Sequence, residues 1–237
     1  MFKTVVSLVL WPIWYMFFIS SLIFLFSMII LLPKNLYFLF IRPLCWVYCV
    51  LAGQWLRKEN NPPPNDGQPY IYMFNHASMF DQFMIAAYIP HYITAVAANE
   101  TFRYPIFGYI IKQYGVIPII RHRIKEAIGS LTIAEKALKE GTSFIISPEG
   151  TRTKTGELGP FKKGPFYLAK NTGATIVPIG LLGGFRAKKK EDWRLELGIL
   201  TTRFGNPIKQ NEYGHLEIEE ISALVRKKIK KLIEVGD

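Results

Sequence analysis

From Val5 to Leu32 the chain carries no charged residue, and this one stretch constrains the fold more than any other. Roughly 20 apolar residues in a helix cross the hydrocarbon of a bilayer, and this run is longer. A second apolar stretch, Leu36 to Leu56, follows after the break Pro33-Lys34-Asn35. Arg42, Pro43 and Gln54 interrupt it, which makes it a poorer span and suits it to the interface. Trp11, Trp14, Tyr15, Tyr37, Trp46, Tyr48 and Trp55 are amphipathic rings of the kind that settle at headgroup level. A cleaved signal peptide fits less well, because the run is too long for an h-region and no small-x-small site closes it. The expectation is therefore a membrane anchor of two hydrophobic helices over residues 1–58, crossing as a hairpin or lying in one leaflet. A hairpin leaves both ends on one side, and Lys3, Arg57 and Lys58 place that side, with the rest of the chain, in the cytoplasm.

Residues 59–69, with Pro62-Pro63-Pro64-Asn65-Asp66-Gly67, are polar and Pro-rich and read as a linker to a domain over 70–237. In that domain short strand-like runs alternate with helical ones. Tyr70 to Phe74, Tyr92 to Ala97, Gly115 to Ile120, Ser143 to Ile146, Thr175 to Leu181 and Leu195 to Thr201 have strand character. Ser78 to Tyr88, Ile124 to Lys139 and Ile218 to Glu234 have helical character. The last buries Ile221, Leu224, Val225, Ile229 and Leu232, and turns Arg226, Lys227, Lys228, Lys230 and Lys231 outward. The implied fold class is α/β, a mainly parallel or mixed central sheet flanked by helices behind the anchor. A net charge of +11 suits nucleic acid, anionic lipid or a phosphorylated substrate. Beside an apolar anchor the lipid readings lead, and no helix-turn-helix, RNP or zinc-finger pattern supports nucleic acid. Cys45 and Cys49 both fall in the anchor and provide neither a disulfide framework nor a metal set.

Chemistry enters at Asn75-His76-Ala77-Ser78-Met79-Phe80-Asp81. Residues five apart on a helix point about 140° away from each other, so His76 and Asp81 cannot share a regular helical face. If they touch, His76 lies in the turn before a helix and Asp81 in its first turn, with Ser78 as N-cap at the capping-box spacing. On these seven residues alone a simpler reading stands, in which Asp81 caps the helix and His76 is a loop residue. A second segment, Ser147-Pro148-Glu149-Gly150-Thr151-Arg152, follows a strand, where α/β sheets build their sites. Arg152 has the fork that binds phosphate in two places, Thr151 and the amides near Gly150 add donors, and Glu149 would orient Arg152 or a substrate hydroxyl. Arg121 ends a third apolar run, and Phe161-Lys162-Lys163-Gly164 adds further cations. There is no G-x-S-x-G elbow, Walker loop or zinc-ligand spacing, which leaves His76 as a general base.

Together these segments resemble the glycerolipid (lysophospholipid) acyltransferase family. The block NHxSxxD is matched at every defined position by Asn75 to Asp81, the Gly-led strand ending in Arg by Gly115 to Arg121, PEGTR by Pro148 to Arg152, and the fourth strand by Ile176-Val177-Pro178-Ile179. Pro118 and Ile120 stand where the family often has an aromatic and an acid. The resemblance implies transfer of an acyl group from acyl-CoA or acyl carrier protein to 1-acyl-glycerol 3-phosphate (lysophosphatidic acid), giving phosphatidic acid. It also implies catalysis by His76 and Asp81, and a glycerol phosphate held by Arg121, Glu149, Gly150, Thr151 and Arg152, with no cofactor or metal. The partners expected are the bilayer, the lysolipid and the acyl donor, and not nucleic acid. Two other readings fit the same residues: a different acceptor, or a non-catalytic module that binds anionic lipid.

Overall fold

In a computed structural model of the chain, the structure describes residues 1–119 and 124–234. The chain starts with helices α1 (Phe2–Leu31) and α2 (Tyr37–Leu51), then β1 (Gln54–Glu59) and β2 (Tyr70–Phe74). There follow α3 (Asp81–Ala86), β3 (Ile93–Ala98), α4 (Pro105–Tyr114), β4 (Ile117–Ile119), α5 (Ile124–Lys139) and β5 (Ser143–Ile146). The last third holds α6 (Gly164–Thr172), β6 (Thr175–Leu182), α7 (Gly184–Ala187), β7 (Gly198–Phe204), α8 (Gln210–Tyr213) and α9 (Ile218–Glu234). The seven strands lie in the order β1-β7-β6-β2-β5-β3-β4. All neighbours run parallel except β6 and β7, so the expected α/β fold has a mixed sheet.

The central strands are apolar throughout because both faces are covered. Along β2, Tyr70, Tyr72 and Phe74 enter one core with residues of α1, α2 and α3. The alternate residues Ile71 and Met73 enter a second core with residues of α5, α6 and α9. From β5 the chain crosses to β6 on the other side of β2, so the ends of β2 and β5 sit at a topological switch point.

The first strand and the last helix differ from the expectation. Residues 54–59, read as the end of the anchor and the start of the linker, form β1 and pair with β7 from Gln54–Gly198 to Glu59–Arg203. The helical stretch stops at Leu51 because the chain turns at Gly53, whose φ of +72° is costly for any residue with a Cβ. A Cβ there would also stand 2.2 Å from Leu197 Cδ2. In α9, Leu224 is only partly buried, and Arg226 does not belong to the solvated face. Arg226 donates to the Leu158 carbonyl at 2.7 Å and to that of Gly159, and its guanidinium lies 5.2 Å from the Phe161 ring centroid.

Helix α1 carries a long exposed apolar face that includes Leu8, Ile13, Met16, Ile19, Ile23 and Ile30. Such a face marks a membrane-association surface. The other side of α1 is attached to the sheet domain along its length. Lys3 pairs with Glu196, Ser7 Oγ accepts the Leu195 N–H at 2.7 Å, and Trp11 Nε1 donates to the Trp193 carbonyl at 2.8 Å. Farther along, Phe18 meets Phe107 and Phe26 meets Tyr109, both on α4, at centroid distances of 5.6 and 6.0 Å.

Candidate active site

Where β2 ends, the side-chain amide of Asn75 replaces a strand pair. Its Nδ2 donates to the Leu181 carbonyl at 2.9 Å, and its Oδ1 accepts the Leu181 N–H at 2.7 Å. His76 comes next and leaves the sheet. Its N–H donates to Glu149 Oε1 at 2.7 Å, and its carbonyl accepts the Thr153 N–H at 2.8 Å. The backbone of His76 is therefore gripped on both sides by the segment that follows β5.

The side chains of His76 and Asp81 meet. His76 Nδ1 lies 2.7 Å from Asp81 Oδ2, which also accepts the N–H groups of Ala77 at 2.8 Å and Ser78 at 2.9 Å. His76 precedes the helix and Asp81 is its first residue, as the helical geometry requires. Ser78 is not the N-cap, a position held by Phe80; its hydroxyl donates instead to the Lys188 carbonyl at 3.1 Å. Asp81 itself reaches back to the turn, which is why the capping signal of the sequence misplaces the cap. The side chain of Asp81 is fully buried and Oδ2 already accepts two N–H groups, an arrangement that suits Nδ1 as the donor of the pair and leaves Nε2 as the ring nitrogen outside it. Gly184 packs behind the pair, and a Cβ on it would stand 3.2 Å from Asp81 Oδ1 and 3.1 Å from Ser78 Cβ.

Glu149 is buried, and its carboxylate is a clamp. Oε1 takes the His76 N–H, and Oε2 takes the Gly159 N–H at 2.8 Å. Of the two roles expected for Glu149, orienting Arg152 or a substrate hydroxyl, the pairing with Arg152 is absent among the described residues. Burial holds the carboxyl above its ordinary range, opposed by the two N–H groups. Gly150 turns at a φ of +69° and closes a tight turn onto the Ser147 carbonyl at 3.1 Å. Thr151 is exposed, and its hydroxyl accepts from Lys190 Nζ at 3.0 Å. Arg152 is half-buried and makes no ion pair among the described residues. Arg121 lies outside the described residues.

His76 lines a cavity of about 810 Å³. At the end nearest the sheet it is polar, with Ser147, Gly150, Arg152 and Lys162. From there it runs between β3, α4 and the first two helices past Tyr48, Phe83, Phe107, Ile110 and Met28, and is apolar. A volume of this size holds a ligand of several hundred daltons. Sequence reasoning did not single out Ser147, whose buried hydroxyl has no hydrogen-bond partner among the described residues. Its signal was a polar residue ending the apolar run of β5. That reasoning did expect an apolar channel near the anchor for the acyl chain, but did not name α4 among the walls.

Residues 55–182 match the family model for acyltransferases. The chain is similar to 1-acyl-sn-glycerol-3-phosphate acyltransferases of Cocos nucifera and Saccharomyces cerevisiae. The former is 36% identical over 65% of this chain and 51% of that protein, and the latter 30% identical over 71% and 57%. The chain thus matches a little over half the length of these two relatives. Among solved structures it resembles the crystal structure of PlsC from Thermotoga maritima, titled a 1-acyl-sn-glycerophosphate (LPA) acyltransferase. The TM-score is 0.84, over 97% of this chain and 95% of that one; at 21% identity the likeness concerns the fold.

Proposed function

The chain belongs to the acyltransferase family, and we propose that it moves an acyl group from a thioester, acyl-CoA or acyl carrier protein, to the free hydroxyl of 1-acyl-glycerol 3-phosphate, making phosphatidic acid. The observation that carries this reading is the 2.7 Å contact of His76 with buried Asp81 at the polar end of a long apolar cavity. A binding module has no use for a base held in one tautomer. Nε2 of His76 takes the hydroxyl proton as that oxygen attacks the thioester carbon, and Asp81 stabilises the imidazolium that forms. The tetrahedral intermediate collapses to the ester, the thiolate leaves, and the imidazolium returns the proton to it. The acyl chain occupies the apolar stretch of the cavity, and Arg152 and Lys162 attract the acceptor phosphate at its polar end. Relatives named for lysophosphatidic acid favour that acceptor over other lysolipids.

The same reading puts the protein on one leaflet. A 30-residue helix is about 45 Å long, enough to span. Yet Lys3 at one end and Phe26 near the other both rest on the sheet domain, so crossing would draw that domain into hydrocarbon. Helix α1 therefore lies in the interface, exposed face down, with the catalytic domain on the cytoplasmic side.

The deciding assay presents purified protein and acyl-CoA with lysophosphatidic acid, glycerol 3-phosphate and lysophosphatidylcholine in turn. Phosphatidic acid is the expected product. His76→Ala should lower the rate roughly 100- to 10,000-fold with the thermal midpoint kept. Full activity in that variant removes the mechanism, and no ester from any acceptor, with acyl carrier protein also tried, removes the function.

A further inference from the structure

Next to the catalytic cavity lies a second hollow of about 650 Å³, floored by the segment between α7 and β7. Lys154, Lys189, Lys190, Trp193 and Arg194 line it, together with the acids Glu191 and Asp192. Thr151 separates the two: its neighbours Gly150 and Arg152 line the catalytic cavity, while its hydroxyl accepts from Lys190 of the hollow.

The acids of the hollow are already engaged. Glu191 pairs with Lys154 at 2.5 Å, and Asp192 is held by the Arg194 guanidinium at 2.9 Å. Lys188, Lys189 and Lys190 have no carboxylate in contact among the described residues. Lys189 sits 5.3 Å over the Phe185 ring, and Lys188 points at the Lys189 carbonyl. Burial and the neighbouring charge of Arg152 hold Lys188 below its usual range. With four cations against two acids lining the hollow, and both acids paired with Lys154 and Arg194, Lys189 and Lys190 favour an anion with more than one charge. The hollow also has an aromatic wall. The Trp193 side chain is about half exposed, while its backbone is fixed by the Trp11 indole.

We propose that this hollow binds the phosphorylated nucleotide end of a coenzyme A thioester, with the base against Trp193 and the phosphates on Lys189 and Lys190. The assignment rests on the acyl-transfer reading and makes acyl-CoA, not an acyl carrier protein, the donor. A carrier protein has no base to stack against Trp193. The reach fits as well. Thr153 bonds the His76 carbonyl and lies two residues from Thr151, so Thr151 is within roughly 7 Å of that segment along the chain. The pantetheine arm has about twelve backbone atoms, the length of about four extended residues or roughly 14 Å, and can run from the hollow past Arg152 to His76.

The test compares palmitoyl-CoA with palmitoyl-N-acetylcysteamine, a thioester without nucleotide, in the native protein and in the double variant Lys189→Ala/Trp193→Ala. The variant should raise KM for palmitoyl-CoA about 5- to 150-fold, the range that base–aromatic stacking supplies. Its kinetics with the truncated donor, and KM for lysophosphatidic acid, should move less than about twofold. In the native protein 3′,5′-ADP should compete with palmitoyl-CoA and not with the lysolipid, a measurement that needs no variant. Equal losses on both donors, a rise in KM for the lysolipid, a loss that tracks binding to anionic vesicles, or transfer from acyl carrier protein alone would each overturn the hollow while leaving acyl transfer intact. No transfer from any thioester overturns the acyl-transfer reading itself, and this assignment with it.

Discussion

Asp81→Asn separates catalysis from packing at the His76 pair. One oxygen, Oδ2, accepts from His76 Nδ1, Ala77 N–H and Ser78 N–H, and Oδ1 has no partner among the described residues. An asparagine therefore has one workable orientation, with its carbonyl replacing Oδ2 and its NH2 on the Gly184 side; the reverse would oppose a donor to three donors. All three hydrogen bonds survive but lose charge assistance, roughly 1 kcal/mol each from the difference between charged and neutral bonds. Removing a fully buried charge offsets part of this, so the net cost is about 1–3 kcal/mol. For a chain of this size that lowers the thermal midpoint by roughly 2–12 °C, and the fold persists. Catalysis should suffer more. The imidazolium formed on proton transfer loses its counter-charge, and kcat should fall about 100- to 10,000-fold with KM for both substrates nearly unchanged. Steady-state kinetics alongside thermal melts read both quantities. A rate within about threefold of native, at a midpoint lowered as stated, would refute the role given to Asp81.

Two further perturbations probe what holds the site. Arg226→Met removes two bonds to the Leu158 and Gly159 carbonyls, and Gly159 in turn donates to the Glu149 clamp under His76. A loss of roughly 2–4 kcal/mol and a lower kcat are expected, read by melting and initial rates; an unchanged midpoint would show that the loop stands without α9. His91 is buried between Tyr70 and Tyr72, and burial pushes its pKa down to about 4. The unfolded chain takes up that proton near pH 6.5, so between about 6.5 and 4 it binds more protons than the folded chain, and stability is lost as the pH is lowered through that window. Melts across that window should be steeper in pH for the native protein than for His91→Gln, and equal slopes would exclude His91 as the cause.

What could be read from the sequence was local. β2 and β5 begin and end where the runs Tyr70–Phe74 and Ser143–Ile146 do, because strands buried on both faces are bounded by polar residues. Helical angles alone required His76 to stand before α3, and the structure has it there. Two of the misreadings, β1 and Glu149, come from partners distant in sequence; α4 and α6 do not. The first residues of β1 look like a continuing apolar helix until Gly53 is seen to turn the chain, and its partner β7 is distant in sequence. Helices α4 and α6 were passed over although each has Pro in its first two positions and ends on a left-handed glycine, Gly115 or Gly173, which is a legible pair of signals. Glu149 was assigned to substrate because nothing in its own neighbourhood announces that its two acceptors are claimed by His76, 73 residues away, and by Gly159.

An apolar channel near the anchor was expected, but that the anchor helices themselves wall it was illegible for a deeper reason, which also bears on how the protein works. Its apolar walls come from Leu25, Met28, Cys45 and Tyr48 as well as from β3 and α4, so one side of it is made by helices that composition assigns to an anchor. Amphipathic patterning distinguishes a covered face from an exposed one, but it does not say whether the cover is lipid, protein or ligand. Here α1 faces outward with Ile19 and Ile23 and inward with Met28 and Trp14, and the two faces divide those tasks. On the proposed function, an acyl chain entering from a leaflet would pass from lipid to a channel of similar polarity, so little apolar surface would meet water along the way. On this reading the membrane surface and the catalytic cavity are two sides of the same pair of helices. A boundary drawn between anchor and enzyme would cut through the site.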